Sequence, residues 1–344
     1  EDIPEFSVSD GPIATRAASG KVLNAIASKL PTLIGGSADL APSNKTYLNS
    51  SHEFQKDAYD GRNIRFGVRE HAMGSILSGM ALHKGVRPYG GTFFVFTDYL
   101  RHAIRLACLM KLPVIYVFTH DSIAVGEDGP THADPQALQL LQENFVDGTA
   151  VTLTPWEPAE VWPLVAAAFR VRPAIIAPFV TRPGEVVPDR EALGLAPVET
   201  ASRGFYKLRS AAGASDGSIV LQGSAVTYAF VGETLPLLEE AGIDLDVYLV
   251  TSSELFDQLS AAEQQAIFPD AVAQQAMGIT GFTMPTMYRW IRSELGRANT
   301  MYPFQNGRYL SSGVGEMVVH EAGLDGEGQI KRIKSYVKML AKAR

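Results

Sequence analysis

Residues 61–132 read GRNIRFGVREHAMGSILSGMALHKGVRPYGGTFFVFTDYLRHAIRLACLMKLPVIYVFTHDSIAVGEDGPTH. Short apolar runs and longer periodic runs alternate along this stretch. Asn63–Phe66 is a short strand, Glu70–Lys84 a helix, Pro88–Val95 a strand and Asp98–Met110 a helix. Pro113–Thr119 contains VIYVF, which is apolar without alternation, the pattern of a strand buried on both faces. The helix at Glu70 carries Gly74, Ser75, Ser78 and Gly79, small residues that suit close packing against another element. A strand–helix alternation of this kind specifies an α/β fold with a mostly parallel sheet.

The pattern extends both ways. Ala18, Val22, Ala25, Ile26 and Leu30 give residues 14–30 a helical period, which Pro31 ends. Leu33–Leu40 is a strand running into a glycine turn, and Pro42–Gly61 is a long polar loop. Further on, Ala150–Leu153 and Ala174–Val180 are strands, and Pro135–Glu143 and Pro158–Arg170 are helices. Residues 181–203 are rich in proline and acid and break the alternation. Beyond them Ser218–Gln222 and Asp246–Val250 are strands, Val226–Ala241, Pro285–Leu295 and Gly328–Ala343 helices, and 260–275 fits either. The expectation is two doubly wound α/β domains, 1–190 and 204–344, joined by a linker at 191–203.

Composition narrows the function. The chain has 344 residues, 46% hydrophobic and 19% charged, with a net charge of -7. That balance disfavours nucleic acid or an anionic membrane as a partner, since both need a basic face. It leaves room for a small anionic substrate held by a local cation cluster. The one cysteine, Cys108, excludes a disulfide within the chain and a cysteine metal site. No apolar run reaches ~18 residues. Glu1-Asp2-Ile3-Pro4 lacks the basic start of a signal peptide, so the cytoplasm is the expected location.

Two polar constellations stand out. Glu70 opens a helix, where an acid by itself is only a favourable charge near the dipole's positive end. Phe93, Phe96 and Tyr99 recur at i, i+3 and i+6, a spacing that usually marks core. His120 follows the buried strand, and Glu127, Asp128 and His132 follow on the next loop. Open parallel sheets bind ligands at the carboxyl ends of their strands. A histidine pair with several acids in thirteen residues at such an edge suits proton transfer or hydroxyl binding.

Taken together, Arg69-Glu70-His71-Ala72-Met73-Gly74, the aromatic run and the Gly126–His132 loop resemble the pyrimidine-binding domain of transketolase, a thiamine diphosphate enzyme. The resemblance spans most of the chain. Ser253-Glu254-Leu255-Phe256-Asp257 and residues 316–328 resemble that family's carboxyl-terminal domain, and 262–284 match less clearly. It implies that Glu70 is catalytic, holding a ring nitrogen of the cofactor's aminopyrimidine. It further implies that Phe93, Phe96 and Tyr99 receive the pyrimidine ring, and that Asp39 lies near the cofactor or a subunit contact. Arg16, Ser43 and Arg182, unremarkable on their own, match the segments that clamp a sugar phosphate together with His120. Two guanidinium forks, a hydroxyl and an imidazole suit a phosphate dianion. Asp128 and His132 match residues at the donor hydroxyls, with His132 also moving protons.

The family's diphosphate-binding signature, Gly-Asp-Gly with a later asparagine, has no counterpart here. The resemblance therefore implies an amino-terminal partner subunit that holds thiamine diphosphate through Mg²⁺ or Ca²⁺, with no metal ligand in this chain. A split transketolase assembled as a heterotetramer is the favoured reading, ahead of a fragment of a longer chain. The implied reaction moves a two-carbon ketol unit from a ketose phosphate to an aldose phosphate, as in the pentose phosphate pathway. The rivals are a transketolase for an unusual sugar, a deoxyxylulose-phosphate synthase, a 2-keto acid dehydrogenase subunit and a non-catalytic homologue. After His132 the family continues Gln-Pro-Val/Ile-Glu, whereas this chain has Ala133-Asp134-Pro135-Gln136, which leaves the sugars open.

Overall fold

A computed structural model of the chain describes residues 3–143 and 145–344. The chain divides into two compact units: residues 1–121 with 140–187, and residues 122–139 with 188–344.

In the first unit the strands are β1 (Pro12–Ile13), β2 (Leu33–Ser37), β3 (Asn63–Arg65), β4 (Arg87–Phe93), β5 (Val114–Thr119), β6 (Ala150–Leu153), β7 (Ile175–Val180) and β8 (Glu185–Val186). Six of them form one sheet in the order β3-β2-β4-β5-β7-β6. Every neighbouring pair in it is parallel. β1 and β8 pair separately, antiparallel. All residues of β5 and β7 are buried, the consequence of helices covering both faces. The helices are α1 (Thr15–Lys29), α2 (Ala41–Asn44), α3 (Glu70–His83), α4 (Thr97–Leu109) and α6 (Val161–Val171), with α5 (Ala137–Glu143) straddling the division, 137–139 in the second unit and 140–143 in the first.

Glycines set the closest approaches. A Cβ on Gly36 would sit 1.9 Å from the Ile64 carbonyl oxygen of β3, and one on Gly74 would meet Leu100 and Ala103 of α4. Gly74 thus serves an α3–α4 contact and Ser78 is buried, while Ser75 and Gly79 face outward. Gly36→Ala is expected to destabilise the chain by about 3 kcal/mol or more, because strand backbone cannot yield as a side chain can; denaturant midpoints of the two proteins measure it, and a loss below about 1 kcal/mol would refute the close approach. Cys108 is buried on α4, and burial pushes its thiol up to about 11.

In the second unit β9 (Phe205–Arg209), β10 (Gly217–Gln222), β11 (Leu245–Val250) and β12 (Ala276–Thr280) form a sheet in the order β12-β10-β11-β9. β10 runs parallel to β11 and β12, and β9 is an antiparallel edge. Its core is aromatic: Phe205 stacks on Trp290 at 4.2 Å, with Tyr248, Phe256 and Phe268 around them. This core corrects the helix expected at Pro285–Leu295. Met284–Met287 is a 3-10 turn, Trp290 and Ile291 are drawn into the core, and a helix starts only at Glu294, where Ser293 Oγ accepts from the Gly296 N–H at 3.0 Å. The ambiguous 260–275 is helical, at Ala261–Ile267 and Asp270–Ala273. The last helix, Gly326–Ala343, is capped by Asp325. Among the described residues no helix is long and apolar enough to cross a membrane.

Candidate active site

The carboxyl ends of five parallel strands carry the candidate residues of the first unit. Asp39, Ser43 and Asn44 follow β2, Glu70 follows β3, Phe93 and Phe96 follow β4, His120 follows β5, and Thr181 and Arg182 follow β7. Segments far apart in sequence meet there because their strands are neighbours in one sheet.

Glu70 is the first residue of α3 and is half-buried. Its Oε1 accepts one hydrogen bond, a long one of 3.3 Å from the Thr92 hydroxyl. Thr92 precedes Phe93, whose ring stacks on the His120 imidazole with centroids 3.7 Å apart. Phe96 lies parallel to Phe93 at 6.0 Å, and Tyr99 is tilted against Phe96 at 6.1 Å. The three aromatics therefore form a row, although they come from a strand end, a 3-10 turn (Phe94–Phe96) and a helix. Phe93 is buried, whereas Tyr99 is 66% exposed, so the row offers an aryl surface toward solvent.

Arg16, in the first turn of α1, donates from Nη1 to the Ser43 carbonyl at 2.9 Å and lies 3.4 Å from His120 Nε2. Its backbone N–H donates to the Thr181 carbonyl at 3.3 Å. Thr15 adds a clasp: the Thr181 N–H donates to Thr15 Oγ1 at 2.7 Å, and the two hydroxyls lie 3.0 Å apart. The structure thus brings Arg16, Ser43 and His120 together and puts Arg182 one residue past the carbonyl that Arg16 holds. Ser43 meets Arg16 through its backbone. Asp39 is exposed, between β2 and α2. Asp39, Lys45 and His120 all have left-handed backbones, with φ of 65, 58 and 64°. Such conformations cost of order 1–3 kcal/mol each and gather at functional sites.

Asp128 and His132 belong to the second unit, on the 122–139 segment. Both are half-buried, and the Thr131 hydroxyl lies 2.9 Å from His132 Nδ1. That segment rests on its own unit: the Ser312 hydroxyl donates to the Glu127 carbonyl. Among the described residues no group of three or more His, Cys, Asp or Glu side chains is placed to hold a metal ion.

Sequence reasoning assigned no role to Asn44, Thr92 or Thr119 and counted Asp121 only among the acids beside His120. Adjacency to Ser43, Phe93 and His120 was their only signal. Asp121 is 4% exposed, and its Oδ1 is buried without a hydrogen-bond partner. Burial pushes its carboxyl from 3.8 up to about 7. The folded state then holds a proton that the unfolded chain has already released between those two values. The contribution of this carboxyl to stability is full below about pH 4 and is lost as pH rises toward 7. Asp121→Asn is expected to stabilise the chain by roughly 2–4 kcal/mol at about pH 8 and to change little near pH 4. Denaturation midpoints at the two pH values check this; an Asn variant no more stable at the higher pH would contradict it.

Comparison with known proteins gives the class first. Residues 11–179 match the family model of the transketolase pyrimidine-binding domain. The chain is 39% identical over 339 residues to a transketolase of Halalkalibacterium halodurans, covering 97% of this chain and 48% of that one. It superposes on a Pichia stipitis transketolase crystallised with sedoheptulose 7-phosphate with a TM-score of 0.86 at 30% identity, over 99% of this chain and 48% of that one. The chain therefore belongs to the transketolase family and corresponds to its C-terminal half. It spans about half the length of the relatives it matches. A chain described as a split-gene transketolase, inactive beta4 tetramer, has a TM-score of 0.66 at 20% identity, covering 95% of this chain and 99% of that one; that likeness is of fold alone.

Proposed function

We propose that this chain is the pyrimidine-side half of a transketolase, which moves a two-carbon ketol unit from a ketose phosphate to an aldose phosphate once a diphosphate-binding half is supplied. The observation that carries the reading is the unbroken line of contacts from the Glu70 carboxylate through Thr92 and the Phe93 ring to His120 and Arg16. It sets a carboxylate and an aryl surface at one end and a cation with an imidazole at the other.

The residues present suit thiamine diphosphate. Glu70 has one weak hydrogen bond and accepting capacity to spare, as a partner for a ring nitrogen requires. Phe96 and Tyr99 offer flat apolar surface for the pyrimidine. When bound, with a divalent metal held by the other half, the cofactor supplies the group that stabilises the ketol carbanion. The chain's own residues bind and orient. Glu70 holds the aminopyrimidine, with Asp39 nearby. Arg16, His120, Ser43 and Arg182 hold the sugar phosphate, and Asp128 and His132 hold the donor hydroxyls, His132 also passing protons.

A chain described as a split-gene transketolase has this fold, and a separate subunit is the form this reading takes. The outer faces of α3 and α4 expose Ile76, Leu82, Leu106 and Leu109 beside Ser75 and Gly79. Apolar surface of that kind fits a subunit contact in the expected heterotetramer. In this reading residues 1–190 are the pyrimidine-binding domain and residues 204–344 serve assembly. The test is an assay of xylulose 5-phosphate with ribose 5-phosphate, thiamine diphosphate and Mg²⁺. Turnover by the chain mixed with a transketolase amino-terminal half, and by neither alone, is the expected result; a mixture that forms a complex without turnover on any ketose phosphate would refute the proposal.

A further inference from the structure

His120 is held from behind by a buried chain of hydroxyls and an amide. Its Nδ1 lies 2.8 Å from Thr119 Oγ1, and Thr119 Oγ1 donates its only proton to Asn44 Oδ1 at 2.6 Å. Asn44 Nδ2 donates in turn to Ser37 Oγ at 3.0 Å, and Ser37 Oγ lies 2.6 Å from Thr46 Oγ1. Ser37, Asn44, Thr46, Thr119 and His120 are each 3% exposed or less. A hydroxyl whose proton is committed to an amide oxygen can only accept from the ring. The network therefore places the imidazole proton on Nδ1. In the neutral ring Nε2 is then a lone pair, and it faces the Arg16 guanidinium, a donor with no accepting capacity.

We infer that Thr119 and Asn44 are positioning residues that lock His120 as its Nδ1–H tautomer, so that the ring engages a phosphate dianion only by taking up one proton at Nε2. The inference rests on the proposal that Arg16 and His120 hold the sugar phosphate. The charged and titratable groups about this ring in its unit are Arg16 at Nε2, Asp121 next in sequence, Arg182 beyond the Thr181 carbonyl, and Glu70 past Phe93 through Thr92. A second positive charge at Nε2 is unfavourable beside Arg16 alone and becomes favourable when a dianion joins them. Nδ1–H stays on Thr119 throughout, and the new Nε2–H donates to a phosphate oxygen. The proton comes from solvent, so phosphate affinity weakens with rising pH above the range where an ordinary histidine titrates.

The experiment uses the full chain at about pH 8, where an ordinary histidine is neutral. Long-range ¹⁵N–¹H NMR of the imidazole, assigned with His120→Gln, reads the tautomer of the free protein. Calorimetric titrations of inorganic phosphate and of sulfate, each in two buffers of different ionisation heat, read proton uptake. Sulfate carries no titrating proton there, so a proton taken up with it resides on the protein. The expected results are Nδ1–H in the free chain and close to one proton per bound anion for both probes. Thr119→Val moves the proton toward Nε2 and brings the uptake toward zero, and Thr119→Ser restores both. A proton on Nε2 in the free chain, sulfate binding without uptake, or unchanged uptake in Thr119→Val would overturn the inference while leaving the clamp intact. If neither anion binds, the clamp falls and the inference with it.

Discussion

Glu70→Ala, assayed in complex with a diphosphate-binding half, is expected to lower kcat for ketol transfer by roughly a thousandfold, within the usual range for loss of a catalytic proton-handling group. The carboxylate does little for the fold. It is half-buried, has one long hydrogen bond, and as the first residue of α3 contributes about 0.3–1 kcal/mol through the helix dipole. Its loss should therefore leave the denaturation midpoint nearly unchanged while abolishing turnover. Glu70→Gln keeps the shape of the side chain but replaces an accepting oxygen by a donor, so it too should fail. Steady-state kinetics and thermal melts on the same preparations separate the two effects. Activity within tenfold of the parent would remove Glu70 from the reaction.

Arg16→Ala should act on the other end of the site. Losing a charge-assisted hydrogen bond of about 1.5–3 kcal/mol corresponds to a KM raised roughly 10- to 150-fold for a phosphorylated ketose donor. kcat at saturation should hold, because the phosphate is remote from the bonds that break. A donor lacking phosphate should show no change. Arg16→Lys keeps the charge but not the planar guanidinium, whose Nη1 meets both the Ser43 carbonyl and His120, and should fall between. Equal losses for phosphorylated and plain donors would show that Arg16 supports the fold and does not read phosphate.

The fold was legible where local physics decided it. VIYVF is buried on both faces and is the central strand β5; the helix at Glu70 begins at that residue. Legibility failed where tertiary demand overrode the local pattern. Residues 285–295 have helical composition, yet the core takes Trp290 and Ile291 and the helix waits for the Ser293 cap. β12, with Gly278 at its centre, has no strong β pattern; it is a strand because it pairs with β10 and because Met287 and Thr300 occupy the space beside that glycine. β9 hid behind the proline-rich break.

The site shows the same division. Residue type and strand-end position pointed to His120, while Glu70 was an ordinary helix-start acid until family resemblance gave it a role. The spacing of Phe93, Phe96 and Tyr99 usually marks core, whereas the row arises where the chain turns from strand through a 3-10 turn into helix and leaves Tyr99 exposed. Arg16 and Ser43 came only from family resemblance, because what joins them to His120 is sheet order. The Asn44–Thr119 link spans 75 residues and leaves no trace in either segment.

In the proposed reading this chain completes a thiamine diphosphate site that it does not hold alone. Calorimetric titration of the cofactor with Mg²⁺ into this chain, into a transketolase amino-terminal half, and into their mixture measures it. Tight binding in the mixture, at least tenfold weaker in either half alone and weakened again by Glu70→Ala, is the predicted result. Cofactor affinity of the amino-terminal half that this chain does not change would contradict the account.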